Sequence, residues 1–363
     1  MRGKEIKEYY FFFNEPLNGV IKSQVIDRIK DQKENGKATS ILAILHPRYY
    51  LNNRKRILLD IPDAIVLPSL GKLKHWKANR LWFLLLKHKL KDKKIICRGP
   101  IATNLALTLD KLTHITYDGR GAVVAEQAEY GVYNGSGIEN KLFELEKNAV
   151  LRSHKQLAVS SKLVEYWRET FNYNQQDYSL TPCVVTPSQK SANEELPSEL
   201  DAFFKLNYKR VKIVFSGGNG KWQQIEETCD LVQNLIKTND ACGLFLCPPH
   251  PSIEALKNCF PDLVFQTTLP PSSVHSALLQ CDYGIILREN NITNRVASPI
   301  KIAEYLHAGL KVILSPNIGD YSDLLIQSGY GIIVKNPYEV QISKISAKER
   351  LNVQDFAIKY LTY

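Results

Sequence analysis

The stretch SPIKIAEYLHAG, residues 298–309, decides the fold. It predicts one short helix whose two ends are both marked in the sequence. Ser298 is a favourable N-cap residue, and Pro299 already has the backbone angle of a first helical residue. Gly309 suits the left-handed conformation in which many helices end. The segments before and after this helix can therefore be assigned from the positions of its two ends.

The first turn of this helix carries a base and an acid. Lys301 and Glu304 are three residues apart, so both emerge on one face of the helix. The unpaired amides at a helix start favour an anion, and the lysine adds positive charge beside them. A carboxylate one turn later can accept hydrogen bonds from both hydroxyls of a ribose. We therefore predict that Ser298, Pro299, Lys301 and Glu304 bind a nucleoside diphosphate; the alternative is an amphipathic helix with a solvated Lys/Glu pair.

The sequence on both sides of the helix predicts strands. Residues 281–297, CDYGIILRENNITNRVA, begin as a buried strand and end as a polar loop that contains Arg288 and Arg295. Residues 310–316 and 330–335 have the apolar composition of further strands. Strands that alternate with helices are typical of an α/β fold with a parallel sheet and crossover helices. Ligands bind at the carboxyl ends of such strands, where both arginines fall, so we predict that they face the diphosphate.

A glycine-rich loop, SGGNGK at 216–221, lies between another predicted strand and helix. Gly217 and Gly218 allow a ligand to approach the backbone, and Lys221 supplies charge for a phosphate. The loop is not a Walker A motif, because Phe215 stands where that motif needs glycine, and it is not GxGxxG. No dinucleotide cofactor is therefore expected. The alternative is a tight turn with an exposed lysine.

The pattern of strand, glycine and helix occurs twice along the chain. The first copy has Gly19 between a strand at 8–13 and a helix, and we predict that its backbone also approaches a phosphate. A chain of 363 residues suits two domains. The polar stretch TPSQKSANEELPSEL has the composition of a linker. The predicted organisation is a first domain at 1–185, a linker at 186–200, a second domain at 201–346, and a final helix at 347–363 that packs back on the first domain.

Charged residues also follow a predicted strand of the first domain. Asp118 ends the strand THITYD, and Arg120 comes two residues later. At the carboxyl edge of the sheet, an aspartate can accept a hydrogen bond from an acceptor hydroxyl. The sequence equally allows Asp118 and Arg120 to pair with each other and do nothing more.

Most of the positive charge lies in one segment. Residues 71–94 contain nine Lys or Arg residues against one acid, so this segment carries 8 of the net charge of +10. A nucleic-acid interface would spread basic residues and aromatics along a groove, so nucleic acid is not expected as a partner. The basic residues surround Trp76, Trp82 and a leucine run. Two interpretations stay open: a helix on an anionic membrane surface, or a helix whose apolar side is buried in the domain.

Cysteine content and hydropathy bound the compartment. Seven cysteines without a CxxC pair argue against a disulfide framework and for a reducing compartment. Cys242, Cys247 and His250 are close in sequence, but they read as a buried strand entering a loop. No metal is expected, because the chain has no DxD motif. No signal peptide or membrane-spanning run is visible, so we expect a cytoplasmic protein, peripheral on the inner face of the membrane if residues 71–94 bind lipid.

Several of these motifs together resemble the bacterial retaining glycosyltransferases of the GT-B fold, in the large family 4-like group. The resemblance runs through SGGNGKWQ at 216–223, LRENNITNRVASPIKIAEYLHAGLKVI at 287–313, and the pieces NGVIKSQV and YDGRG of the first domain. It implies two Rossmann-like domains that face each other across a cleft, with a nucleotide sugar held mainly by the second. Asp118 stands where many relatives have a histidine, and Val296 replaces the first of two glutamates that have seven residues between them.

The resemblance also implies roles for residues of this chain. Glu304 would bind the ribose, and Lys221 with Arg288 or Arg295 would face the diphosphate. We expect an enzyme that moves a sugar from a nucleoside diphosphate to a glycan or lipid-linked acceptor, in cell-surface polysaccharide synthesis, without cofactor or metal. Asp118, Arg120, Lys221 and Arg288 are the expected catalytic residues. Two alternatives are a nucleotide-sugar epimerase or hydrolase on the same fold, and a non-catalytic protein that binds glycan or membrane.

Overall fold

The computed structural model describes residues 6–185, 195–218 and 220–362. It divides into two compact units, Met1–Pro182 and Cys183–Tyr363. Each unit contains one sheet, and every strand pairing in both sheets is parallel. The α/β fold class predicted from the sequence is confirmed.

The sheet of unit 1 has seven strands in the order β3-β2-β1-β4-β5-β6-β7. The order runs outward from β1 in one direction and from β4 in the other. The strands are β1 (Glu8–Phe13), β2 (Thr39–Leu45), β3 (Ile65–Pro68), β4 (Lys94–Arg98), β5 (His114–Gly119), β6 (Lys155–Ala158) and β7 (Tyr178–Leu180).

Helices connect the strands of unit 1. A π-helical segment, Lys22–Asp27, lies between the first two α-helices. Single 3₁₀ turns lie at Pro47–Tyr49, Leu107–Leu109 and Glu139–Lys141, and a longer 3₁₀ segment, interrupted at His75, spans Leu73–Asn79. The α-helices are α1 (Gly19–Ile21), α2 (Arg28–Glu34), α3 (Tyr50–Asp60), α4 (Arg80–Leu90), α5 (Gly99–Ala106), α6 (Val123–Tyr130), α7 (Leu142–Arg152) and α8 (Ser161–Phe171).

The sheet of unit 2 has six strands in the order β10-β9-β8-β11-β12-β13. Here the order runs outward from β8 and from β11. The strands are β8 (Val211–Ser216), β9 (Ala241–Leu246), β10 (Val264–Thr267), β11 (Tyr283–Ile286), β12 (Lys311–Leu314) and β13 (Gly331–Ile333).

The helices of unit 2 follow the same alternation. Two 3₁₀ turns lie at Lys221–Gln223 and Pro337–Glu339. The α-helices are α9 (Ser198–Leu206), α10 (Ile225–Thr238), α11 (Pro251–Cys259), α12 (Pro271–Leu278), α13 (Ile292–Arg295), α14 (Ile300–His307), α15 (Tyr321–Ser328) and α16 (Ala347–Tyr360).

Apolar side chains cover both faces of each sheet. In β1, Phe11 and Phe13 pack into one cluster, whereas Tyr10 and Phe12 pack into another on the opposite face. Successive side chains of a strand point to opposite faces, so a continuous apolar run such as EYYFFF is what a sheet with helices on both faces requires. The carboxyl edge of each sheet is left for polar loops.

Two element boundaries and the packing of the last helix, which was predicted to lie on the first domain, differ from the sequence prediction. Residues 186–194 of the predicted linker lie outside the described residues, but its end is helical, because α9 begins at Ser198 and buries Leu200 completely. The helix predicted from Trp222 begins at Ile225, because Gln224 has a left-handed backbone with φ of 44°. The last helix, α16, packs against α14 within unit 2.

None of the described helices combines the length and the apolar character that a membrane crossing would need.

Candidate functional site

In the sheet of unit 2, the strand order reverses between β8 and β11, which are hydrogen-bonded neighbours. Chain connections leave these two strands toward opposite edges, so a crevice opens at their carboxyl ends. The loop after β8 contains Gly217 and Gly218, and the loop after β11 begins with Leu287 and Arg288. The sequence-predicted glycine loop and one of the two predicted arginines therefore meet at the point where α/β sheets bind ligands.

Two cations converge on one glutamine at this crevice. The Gln223 side-chain oxygen accepts a hydrogen bond from Lys301 Nζ at 2.8 Å and from Arg288 Nη1 at 3.0 Å. Arg288 also donates to the Trp222 carbonyl oxygen, and its backbone amide donates to Ser315 Oγ at 2.8 Å. Both cations are 8% exposed. We call Gln223, Arg288 and Lys301 the Gln223 cluster.

The Lys301 side chain contacts an amide oxygen and an aromatic ring, both neutral. Its Nζ lies 4.6 Å from the ring centre of Phe215, besides its bond to Gln223. Burial lowers the pKa of Lys301 well below its usual value, and the charge of Arg288 lowers it further, while Glu304 opposes the shift. Within the described residues Lys301 forms no ion pair. An anion bound beside Lys301 would favour its charged form and offset the cost of burying it.

Glu304 lies one turn after Lys301 on α14 and is partly buried. Burial raises the pKa of Glu304, and the charge of Lys301 opposes that shift. Among the described residues, no hydrogen bond or ion pair occupies its carboxylate. The carboxylate is thus available to hydroxyl donors of a ligand.

The start of α14 differs from the prediction. Pro299 is the N-cap residue and the helix begins at Ile300, so Ser298 is not the cap. The Ser298 hydroxyl instead accepts a hydrogen bond from the Cys183 amide at 2.9 Å. A buried amide needs an acceptor, and here it uses the hydroxyl that the sequence had assigned to the helix start. Gly309 has φ of 77° and ends the helix as predicted.

Tyr305 ties α14 to both strands of the crevice. Its hydroxyl accepts a hydrogen bond from the Ser216 amide at 2.9 Å and donates to the Ile285 carbonyl oxygen at 3.4 Å. Its ring packs over Gly284, where an added Cβ would lie 2.2 Å from a ring carbon. The hydrogen bond to Ser216 and the contact with Gly284 fix the position of α14 relative to β8 and β11.

The glycine loop approaches the Gln223 cluster at one residue. A Cβ added to Gly217 would lie 2.8 Å from Lys301 Nζ, whereas a Cβ on Gly218 would meet no atom within 4 Å. Lys221 is exposed at the start of its 3₁₀ turn. Arg295 is also exposed, at the end of α13, and the hydrogen bonds of the Gln223 cluster do not include it.

The predicted first-domain pair lies in the interior of unit 1. Asp118 is completely buried and accepts hydrogen bonds from the Tyr10 hydroxyl and, at 3.4 Å, from Arg120 Nη1. Arg120 also donates to Gln24 Oε1 at 3.1 Å and to the Thr181 carbonyl oxygen at 3.3 Å. Burial alone would raise the pKa of Asp118, but the arginine charges and the Tyr10 hydroxyl hold it below its usual value. Asp118 therefore pairs with Arg120, as one of the two sequence interpretations had it.

A second ion pair lies where the strand order in the sheet of unit 1 reverses, between β1 and β4. Arg98, the last residue of β4, donates from Nε to Glu15 Oε2 at 2.9 Å. Arg98 Nη1 is buried and has no hydrogen-bond partner among the described residues. Gly19 starts α1 at the same edge and is exposed, with no atom within 4 Å of an added Cβ.

Sequence reasoning missed Gln223, Tyr305, Tyr10 and Glu15. Gln223 is uncharged, and its only signal was its place at the end of SGGNGKWQ, two residues after Lys221. Glu15 follows β1 by two residues, and its place after a strand was the stronger signal.

No group of three or more His, Cys, Asp or Glu side chains lies together in the part of the chain that the structure describes. Cys242 and Cys247 are buried, and His250 Nδ1 accepts from the Ser252 amide at 3.3 Å.

Comparison with known proteins identifies the fold. No family model matches the sequence, and no curated protein does. Among solved structures, WaaG, a glycosyltransferase involved in lipopolysaccharide biosynthesis, matches with a TM-score of 0.60 at 12% identity, over 98% of this chain and 95% of that one. HepE from Anabaena in complex with UDP matches with a TM-score of 0.69 at 10% identity, over 98% and 96%.

The matches extend to a different reaction. A putative UDP-N-acetylglucosamine 2-epimerase from Listeria monocytogenes matches with a TM-score of 0.54 at 9% identity, over 98% of this chain and 87% of that one. At such identities the likeness shows the fold alone, and this chain has the fold of the GT-B glycosyltransferases. The predicted GT-B fold is confirmed.

Proposed function

We propose that this protein is a glycosyltransferase that takes a sugar from a nucleoside diphosphate and passes it to a hydroxyl group. The observation that carries the proposal is Lys301, a buried ammonium that is hydrogen-bonded to a neutral amide at the point where the sheet of unit 2 changes direction. A diphosphate supplies the negative charge that this ammonium lacks.

Each side of the crevice has a part in donor binding. Lys301 and Arg288 bind the diphosphate oxygens, with Lys221 and Arg295 as exposed cations at the rim. The backbone of Gly217 and Gly218 and the amides after Pro299 approach the phosphates. Glu304 accepts hydrogen bonds from the ribose hydroxyls. Ser298 contributes by fixing the segment before α14.

The reaction breaks the bond between the anomeric carbon of the sugar and the diphosphate oxygen. Negative charge grows on the leaving diphosphate, and cations directed at it stabilise the transition state; one such group typically contributes about 10²–10³ in rate. The acceptor oxygen forms the new bond to the anomeric carbon, and its proton passes to a diphosphate oxygen. This course retains configuration and needs no protein base and no metal.

The acceptor is the less defined partner. We propose a glycan or a lipid-linked sugar, as in cell-surface polysaccharide synthesis, with the carboxyl edge of the sheet of unit 1 on the acceptor side. Asp118 and Arg120 act as positioning residues that keep the loops of this edge in place, because Asp118 is completely buried. A lipid-borne acceptor would bring the enzyme to the inner face of a membrane, where the basic residues 71–94 meet anionic lipid.

Titration calorimetry with UDP and GDP tests the binding step. Lys301→Met should lower diphosphate affinity by about a hundredfold, because it removes a charge-assisted bond in a buried site. Lys212→Met is the matched control, because Lys212 is 7% exposed at the opposite end of β8, where its Nζ contacts the Tyr208 carbonyl oxygen. Equal affinity in both variants, or no diphosphate binding by the unaltered protein, would overturn the proposal.

Turnover tests the reaction itself. Donor sugars are incubated with and without candidate acceptors, and the anomeric proton of the product is followed by NMR. Lys221→Ala and Glu304→Ala should abolish transfer with the fold intact by circular dichroism. Isomerised sugar without acceptor would establish an epimerase instead, and an inverted product would remove the retaining mechanism while leaving the transferase. Activity that survives EDTA is expected.

A further inference from the structure

We propose that the outward face of α4 is a docking surface for an anionic lipid bilayer. Three leucines on this face are exposed: Leu81 at 50%, Leu84 at 51% and Leu85 at 64%. They stand at positions i, i+3 and i+4 of an 11-residue helix, so they form one stripe. We call these three residues the α4 leucine face.

The stripe is additional to the apolar side that α4 needs for packing. Phe83 and Leu90 are buried in the core of unit 1, and Trp82 and Leu86 pack against it. An ordinary surface helix is polar on its outward side. The outward side of α10, for instance, has the acidic residues Glu226, Glu227 and Asp230. The α4 leucine face therefore leaves apolar area in water that no packing inside unit 1 uses.

Charge around the stripe indicates the occupant. Residues 71–94, which include the 3₁₀ segment before α4, the helix and the turn after it, contain nine basic residues and one acid, Asp92. At the end of the helix a cavity of about 530 Å³ is lined by His88, Lys89, Lys91 and Lys93, together with Asp92 and the start of β1. Exposed leucines surrounded by lysines are typical of helices that lie in the interface of anionic membranes.

Two other occupants fit less well. Nucleic acid would use the lysines but would leave the leucines in water, because its backbone offers phosphate and sugar rather than hydrocarbon. A second copy of the chain would use the leucines but would bring the same nine basic residues face to face, and like charges in one interface repel. A bilayer uses both the leucines and the charge.

Vesicle flotation tests the surface without any sugar donor, so its result is independent of the proposed transferase activity. The full chain should bind vesicles in which about a third of the lipid is phosphatidylglycerol and should not bind phosphatidylcholine alone. Replacing Leu81, Leu84 and Leu85 together by serine should weaken binding at least tenfold, by about the loss expected for half-exposed leucines. Replacing Lys87, Lys89 and Lys91 by glutamine should weaken it about fivefold per charge.

A matched control changes exposed apolar residues elsewhere. Leu351→Ser with Ile358→Ser alters α16, where these residues are 59% and 52% exposed but charges of both signs surround them. This variant should bind vesicles as the unaltered protein does. Three results would overturn the proposal: no binding to phosphatidylglycerol vesicles, equal loss in the control variant, or binding that ignores the leucines. Dimerisation without lipid that the leucine variant abolishes would assign the face to a second copy, and duplex DNA binding in its place would assign it to nucleic acid.

Discussion

The polar carboxyl edges of the two sheets differ in whether their positive charges are paired with acids of the chain. In unit 1, each arginine at the edge is ion-paired, Arg98 with Glu15 and Arg120 with Asp118. In unit 2, Lys301 donates instead to the neutral side chain of Gln223. The same architecture thus has one edge whose cations are balanced within the chain and one edge with a buried ammonium that is not.

This difference teaches how a repeated fold acquires two tasks. An ion pair that satisfies itself stabilises loops but has little to offer a charged ligand. A buried cation on a neutral acceptor costs stability and is repaid when an anion binds. Removing a cation should therefore change the free energy of unfolding with opposite sign at the two edges. Two of the measurements below test this, and the other tests the glycine loop beside Lys301.

The largest effect is expected at the balanced edge. Arg120→Met leaves the Asp118 carboxylate buried without its ion pair, which typically destabilises a protein by about 3–5 kcal/mol. Urea unfolding followed by tryptophan fluorescence measures it, since Trp76, Trp82 and Trp167 all lie in unit 1. Arg152→Met is the control, because Arg152 forms an exposed pair with Asp110 at 3.3 Å, and such pairs contribute below about 1 kcal/mol. Similar losses in both variants would contradict a structural role for Arg120.

A medium effect is expected from the glycine loop at the unbalanced edge. Gly217→Ala adds a Cβ that would lie 2.8 Å from Lys301 Nζ, so the flexible end of the lysine must shift. We expect about a tenfold loss of UDP affinity, and little loss of stability because φ at this residue is not positive. Calorimetry on Gly218→Ala provides the comparison, because that Cβ meets no atom within 4 Å. A loss confined to Gly218→Ala would place the phosphates against the second glycine instead.

The smallest expected effect is an increase in the free energy of unfolding. Lys301→Met should raise the stability of the nucleotide-free protein by about 1 kcal/mol at about pH 7, because it removes a buried charge. Since the folded-state pKa of Lys301 is lowered, the unfolded chain binds more protons between that pKa and the usual lysine value. Wild-type stability should therefore rise with pH through this window, and the gap to the variant should narrow by about pH 9.5. Urea midpoints at the two pH values check the sign, and a destabilised variant would show that Gln223 and Phe215 already compensate the charge.

Much of the architecture could be predicted from the sequence. Apolar runs such as EYYFFF predicted buried parallel strands, because helices must cover both faces. Gly309 predicted the end of α14, because few other residues tolerate φ of 77°. Lys301 and Glu304 were identified together because helical spacing alone places them on one side.

What the sequence did not reveal depends on distant partners. Ser298 was expected to cap α14, but its hydroxyl bonds to Cys183, 115 residues away in the chain. The role of Gln223 depends on two cations from later loops, and an uncharged side chain gives no signal of them. The end of the predicted linker was not recognised as the start of a helix, although Leu200 and the following Phe203 have the spacing of a buried helix face.

The π-helical segment Lys22–Asp27 has a consequence for how this chain tolerates insertions and deletions. A π turn holds one residue more than an α turn, so deletion of a single residue from this segment would restore α-helical register. If the deleted residue follows Gln24, the residues before the deletion, Gln24 included, would then rotate by about 100° relative to α2. Gln24 would swing away from Arg120, and the hydrogen bond between them, 3.1 Å long, would be lost. A one-codon deletion here should thus loosen the edge of unit 1 while leaving its core strands in place.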